Sequence, residues 1–183
     1  MQHIFCVPGE SYLAVLDALH DAPIELTVCR QEGGAAMMAE AHGKLTGRPG
    51  VCFVTRGPGA TNAAAGVHIA MQDSTPMVLF VGQIERGARG REAFQEVDYR
   101  AAFGPLAKWA TEVDDARRLP EIVARAFSVA CSGRPGPVVV ALPEDMLVER
   151  TEVSDARALQ PIATAPAPAQ MERMLELLRQ AKR

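Results

Sequence analysis

The chain has 183 residues, 48% of them hydrophobic and 22% charged, with a formal net charge of −3. That is the size and composition of about one globular domain with a sizeable core, and the charge gives no reason to expect nucleic acid or a membrane surface as a partner. No apolar run approaches the roughly 20 residues of a membrane span, and the start of the chain lacks the basic region of a signal peptide, its apolar stretch being broken by Pro8, Gly9 and Glu10.

In chain order, Ile4 to Val7 reads as a strand, the turn Val7-Pro8-Gly9-Glu10 follows it, and Ser11 to Ala18 reads as a helix. Glu25 to Cys29 reads as a short buried strand, and Gly33 to Leu45 as a helix rich in small residues. Glu32 therefore falls at a strand-to-helix junction. Val51 to Thr55 is the next strand, followed by Thr55-Arg56-Gly57-Pro58-Gly59-Ala60-Thr61-Asn62 and a helix over Ala60 to Gln72. Further strands are expected at Met77 to Val81, Ala107 to Val113 and Val138 to Leu142, with a helix over Leu119 to Ala130 between the last two. Several of these strands are continuously apolar, as in a sheet covered on both faces. The βαβ alternation specifies an α/β fold of three layers, a doubly wound and mostly parallel sheet with helices on both faces. Residues 160–170, rich in Pro, Ala and Thr, read as a linker, and Met171, Met174, Leu175 and Leu178 recur beyond it at helical spacing. That tail, and a first strand with no helix before it, read as a fragment of a larger protein.

Three turns carry the candidate chemistry. In an open parallel α/β sheet the carboxyl ends of the strands share one edge, and ligands bind there. A carboxylate at Glu32, on that edge and beside an apolar helix start, is a candidate for proton-transfer work; the plainer reading is a partner for the positive end of the helix dipole. Gly57-Pro58-Gly59 makes a tight turn that lets a ligand approach the backbone. It is not a dinucleotide fingerprint, since Asn62 stands where a third glycine should be, and no Gly-Lys-Ser/Thr makes it a phosphate loop. Cys6, Cys29, Cys52 and Cys131 stand far apart, so buried free thiols in a reducing compartment, the cytoplasm, are expected rather than a zinc site. Arg86, Arg89 and Arg91, spaced by Gly87 and Gly90, read as a solvated mobile loop, with an anion-contacting role as the alternative.

Val7-Pro8-Gly9, Arg30-Gln31-Glu32-Gly33 through Ala39-Glu40-Ala41, Gly57-Pro58-Gly59-Ala60-Thr61-Asn62, Ala93-Phe94-Gln95-Glu96 and Ser132-Gly133-Arg134-Pro135-Gly136-Pro137-Val138 occur in this order. Together they resemble the N-terminal pyrimidine-binding domain of thiamine-diphosphate enzymes of the acetolactate synthase group, over about Ile4 to Met146. The resemblance implies a pyrimidine-binding domain over residues 1–150, with a linker and the start of a central domain over residues 151–183. It implies that Glu32 hydrogen-bonds a ring nitrogen of the aminopyrimidine and so promotes formation of the cofactor's nucleophilic ylid. Val7, Pro8, Gly9, Pro58 and Gly59 would line the pyrimidine pocket, Asn62 would support the turn, and Gln95 would face the reacting carbons.

The same resemblance implies pyruvate or a similar 2-oxo acid as substrate, and a homodimer or homotetramer with the cofactor at the subunit interface. Magnesium would be bound by a Gly-Asp-Gly motif and a following Asn, which these 183 residues do not contain; FAD is compatible with the full-length protein. Glu32 sets the chain apart from glyoxylate carboligases, and the lack of a His-His pair near Phe94 to Glu96 sets it apart from pyruvate decarboxylases. Glu10, Val7 and Arg56 depart from residues common in the synthases, which bears on the substrate and not on the cofactor. A 2-oxo acid decarboxylase or lyase on the same scaffold is the alternative, and a non-catalytic α/β interaction module is the alternative of another class.

Overall fold

The computed structural model describes residues 2–157 and 164–182. Six strands form one sheet in the order β2-β1-β3-β4-β6-β5: β1 His3–Cys6, β2 Glu25–Val28, β3 Gly50–Val54, β4 Met77–Gln83, β5 Trp109–Glu112 and β6 Pro137–Pro143. Every pairing is parallel. The helices are α1 Leu13–His20, α2 Glu32–Thr46, α3 Pro58–Gln72, α4 Tyr99–Phe103, α5 Leu119–Cys131, α6 Glu144–Leu147 and α7 Pro168–Gln180.

The alternation of side chains along each strand divides the core into two layers. Phe5, Cys52, Val54, Leu79, Val81 and Val139 face α2 and α3. Ile4, Cys6, Phe53, Phe80, Val138 and Val140 face the opposite way, against α1 and α5. β3, β4 and β6 are buried throughout, so their runs of Val, Leu and Phe need no polar alternation. This is the three-layer, doubly wound fold expected, with a sheet that is parallel throughout.

Four expectations need adjustment. β2 is not a buried strand: it is an edge of the sheet, paired among the described residues with β1 alone, and Glu25 and Val28 are exposed. Cys6 and Cys52 are buried free thiols, but Cys29 and Cys131 are partly exposed. Arg86 and Arg89 are not freely solvated: Arg86 pairs with Asp145 at 2.7 Å and with Glu149, and Arg89 with Glu112 and with Asp114 at 2.8 Å. Of the expected linker, residues 160–163 lie outside the described residues, and residues 168–170 belong to α7. In α7 itself, Met171, Met174, Leu175 and Leu178 are exposed.

The strand order reverses beside β1. The chain leaves β1 for β2 on one side and returns to β3 on the other. The crevice at the carboxyl ends of β1 and β3 is the switch point at which open α/β sheets place ligands.

Candidate active site

Three turns meet at that switch point: Val7-Pro8-Gly9 after β1, Cys29 to Gln31 after β2, and Thr55 to Gly57 after β3. Thr55 joins two of them. A Cβ on Gly9 would stand 2.4 Å from Thr55 Cβ, and one on Gly59 would stand 2.8 Å from Thr55 Cγ2. Both glycines are therefore required by close packing against one threonine. Thr55 Oγ1 also hydrogen-bonds Ser11 Oγ at 2.8 Å.

Gly57 has φ +58° and ψ −113°, a conformation that L side chains rarely adopt. Its backbone N–H donates to the buried Tyr99 hydroxyl at 2.7 Å. Pro58 follows at the first position of α3, where a missing N–H costs nothing.

Glu32 opens α2, and the plain helix-dipole role falls largely to its neighbour. Gln31 is the N-cap, its Oε1 accepting from the Gly34 N–H at 2.7 Å. The Glu32 carboxylate instead reaches across to α3, where Asn62 Nδ2 donates to Oε2 at 3.0 Å. Its other oxygen faces Gly59, lying 3.6 Å from where a Cβ there would stand. Helices α2 and α3 come close enough for this because their facing residues are small. A Cβ on Gly66 would stand 2.5 Å from that of Ala36, and one on Gly33 would stand 3.1 Å from the Asn62 carbonyl oxygen.

The structure thus brings Gly9, Gly59, Glu32 and Asn62 to one edge of the sheet, together with Gln95. Gln95 has φ +65°, and its Cβ lies 2.6 Å from where a Cβ on Gly57 would stand. Val7 is half-buried and its carbonyl accepts from the Tyr12 hydroxyl at 2.5 Å, while Pro8 is exposed beside Gly9. Asn62 is placed on the acid itself; the turn it was expected to support is held by Tyr99 and by the Thr61 hydroxyl, which donates to the Pro58 carbonyl at 3.0 Å. Sequence reasoning missed Tyr99 and Ser11, which carried no signal; Thr55 stood in the candidate turn Thr55 to Asn62 but was given no role of its own.

The residues fit an aminopyrimidine. A carboxylate oxygen freed from capping lies beside a glycine backbone, which is the donor-acceptor set a planar ring with exchangeable protons would meet. No group of three His, Cys, Asp or Glu side chains suited to a metal ion occurs among the described residues.

Residues 1–102 match the family described as thiamine pyrophosphate enzyme, N-terminal TPP binding domain. The chain belongs to this family. Among its curated relatives are an acetolactate synthase of Bacillus subtilis (strain 168), 41% identical over 90% of this chain and 29% of the relative. The large subunit of acetolactate synthase isozyme 2 of Escherichia coli (strain K12) is 46% identical over 78% and 26%, and an acetolactate synthase large subunit of Lactococcus lactis subsp. lactis (strain IL1403) is 38% identical over 96% and 31%. The chain therefore spans less than a third of the length of these relatives. No helix among the described residues is long and apolar enough to cross a membrane.

Proposed function

We propose that this chain is the pyrimidine-binding part of a thiamine-diphosphate-dependent carboligase of the acetolactate synthase type, acting on pyruvate or a similar 2-oxo acid. The observation that carries the reading is the Glu32 carboxylate, released from helix capping by Gln31 and held by Asn62 beside Gly59. The names of the relatives support a carboligase over a decarboxylase, a lyase or a silent interaction module.

When bound, thiamine diphosphate supplies the carbanion chemistry. Glu32 holds and exchanges a proton at the pyrimidine ring nitrogen. Asn62 fixes the carboxylate through one oxygen and leaves the other to face the ring. Val7, Pro8, Gly9, Pro58 and Gly59 form the wall against which the ring lies, and Gln95 faces the substrate carbons. Residues 1–150 make up this domain, and residues 151–183 are the linker and the opening of a central domain, with the exposed apolar stripe of α7 meeting the rest of that domain. Diphosphate and magnesium are held by residues outside this chain, and FAD is compatible with the complete protein. The assembly is a cytoplasmic homodimer or homotetramer with the cofactor between subunits, serving branched-chain amino acid biosynthesis.

The test is to supply the complete protein with pyruvate, thiamine diphosphate and magnesium and to measure acetolactate formed. Failure to bind the cofactor, or binding without turnover of any 2-oxo acid, would overturn the reading.

A further inference from the structure

Glu10, in the turn after β1, and Arg56, in the turn after β3, are partners. Arg56 is 8% exposed. Its Nη2 donates to Glu10 Oε1 at 2.7 Å and its Nη1 to Glu144 Oε2 at 2.8 Å. Its backbone N–H donates to Ser11 Oγ at 3.2 Å, the same hydroxyl that meets Thr55 Oγ1. One side chain thus gathers the turn after β1, the turn after β3 and the start of α6 after β6.

A guanidinium this buried needs its charge matched, and two carboxylates match it with net negative charge left over. The cluster is consequently a poor receptor for an anionic substrate, because both terminal nitrogens are already engaged. Its neighbours in the chain are the pocket residues themselves: Gly9 precedes Glu10, and Thr55 and Gly57 flank Arg56.

We propose that Arg56 is a positioning residue that ties these three sheet-edge turns together, and that Glu10 and Arg56 act as a coupled pair setting the spacing between Gly9 and Gly59 across the crevice. The functional part of this rests on the thiamine-diphosphate reading above; the clamp itself does not. Without Glu10, Arg56 keeps Glu144 as its carboxylate partner; without Arg56, both carboxylates lose the cation they share. Cofactor sites tolerate displacements of only about 0.5 Å before binding suffers, so loosening the clamp weakens the pocket without touching Glu32.

The test compares Arg56→Gln, Glu10→Gln and the double variant. Amide hydrogen exchange in the 183-residue chain reads the clamp. Exchange at Tyr12, Gly57 and Thr61 should rise about tenfold in Arg56→Gln while the amides of β4 stay protected. The double variant should match Arg56→Gln alone rather than the product of the single effects. In the complete protein, the Kd for thiamine diphosphate with magnesium should rise in step, by about tenfold. Exchange that rises evenly across the sheet, turns that stay protected, effects that multiply, or an unchanged Kd over loosened turns would each overturn the proposal. If Arg56→Gln does not fold, Glu10→Gln, which keeps the Arg56–Glu144 pair, must still loosen Tyr12. A wild-type protein that binds no thiamine diphosphate, with turns that loosen as described, defeats the cofactor reading and leaves the clamp standing.

Discussion

Gln31 and Glu32 divide between them two jobs that a single acid at a helix start would otherwise combine. With Gln31 satisfying the Gly34 N–H, the Glu32 carboxylate is free to face the crevice. Glu32→Gln keeps its size and its contact range but cannot take up and return a proton. In the complete protein, hydrogen–deuterium exchange at the thiazolium carbon of bound cofactor should fall by about 10²–10⁴-fold, the range for general acid–base groups; an unchanged rate would reduce Glu32 to a neighbour of the helix dipole. Gly57 supplies a different kind of constraint. Gly57→Ala places a Cβ against Gln95 in a backbone conformation that already disfavours it. The cost should be about 1–3 kcal/mol, seen as a lower urea midpoint.

At the scale of elements, the distance between Glu32 and Asn62 is set by how closely α2 and α3 approach. Gly33, Ala36, Ala39, Ala63, Gly66 and Ala70 are all buried in that contact region. Gly66→Val would place a Cβ 2.5 Å from that of Ala36 and 2.9 Å from its carbonyl carbon, with two further methyl groups to fit. Overpacking of this kind typically costs about 1–3 kcal/mol. The helices should part, so thermal unfolding should shift downward and thiamine diphosphate affinity should fall with it. The strands and the four longer helices before residue 150 were legible because hydrophobic run length and small-residue helices announce a covered parallel sheet. The short helices α4 and α6 were not, since four or five residues carry too little periodicity. The three turns at one edge followed from topology alone. The edge position of β2 did not, because Glu-Leu-Thr-Val does not say how many neighbours it has. Nor could the Arg56–Glu144 pair be foreseen, its members standing 88 residues apart.

At the scale of the molecule, the crevice is open on this chain, with Glu32 half-buried and Phe94, next to Gln95, 75% exposed. Met37, Met38 and Leu45 on α2 are exposed as well, the kind of apolar surface that favours association. On the proposed reading, in which another domain holds the anionic end of the cofactor, the 183-residue chain should fold, bind thiamine diphosphate and magnesium weakly, and self-associate. Calorimetry and light scattering check both; tight magnesium-dependent binding would contradict the proposed division of the cofactor between domains, and a strictly monomeric chain would contradict association through the exposed apolar surface. The strand order has a consequence for synthesis. Among the described residues β6 is the last strand of this sheet to be made, yet it is the one strand paired with β5 and the second neighbour of β4. Until Pro137 to Pro143 emerges from the ribosome, the Met-Val-Leu-Phe-Val edge of β4 has backbone groups and apolar side chains with nothing to pair against, the state in which nascent chains stick to one another. A stalled or clipped chain ending just short of Pro137 would thus carry every pocket turn and still be more aggregation-prone than the chain with β6 in place.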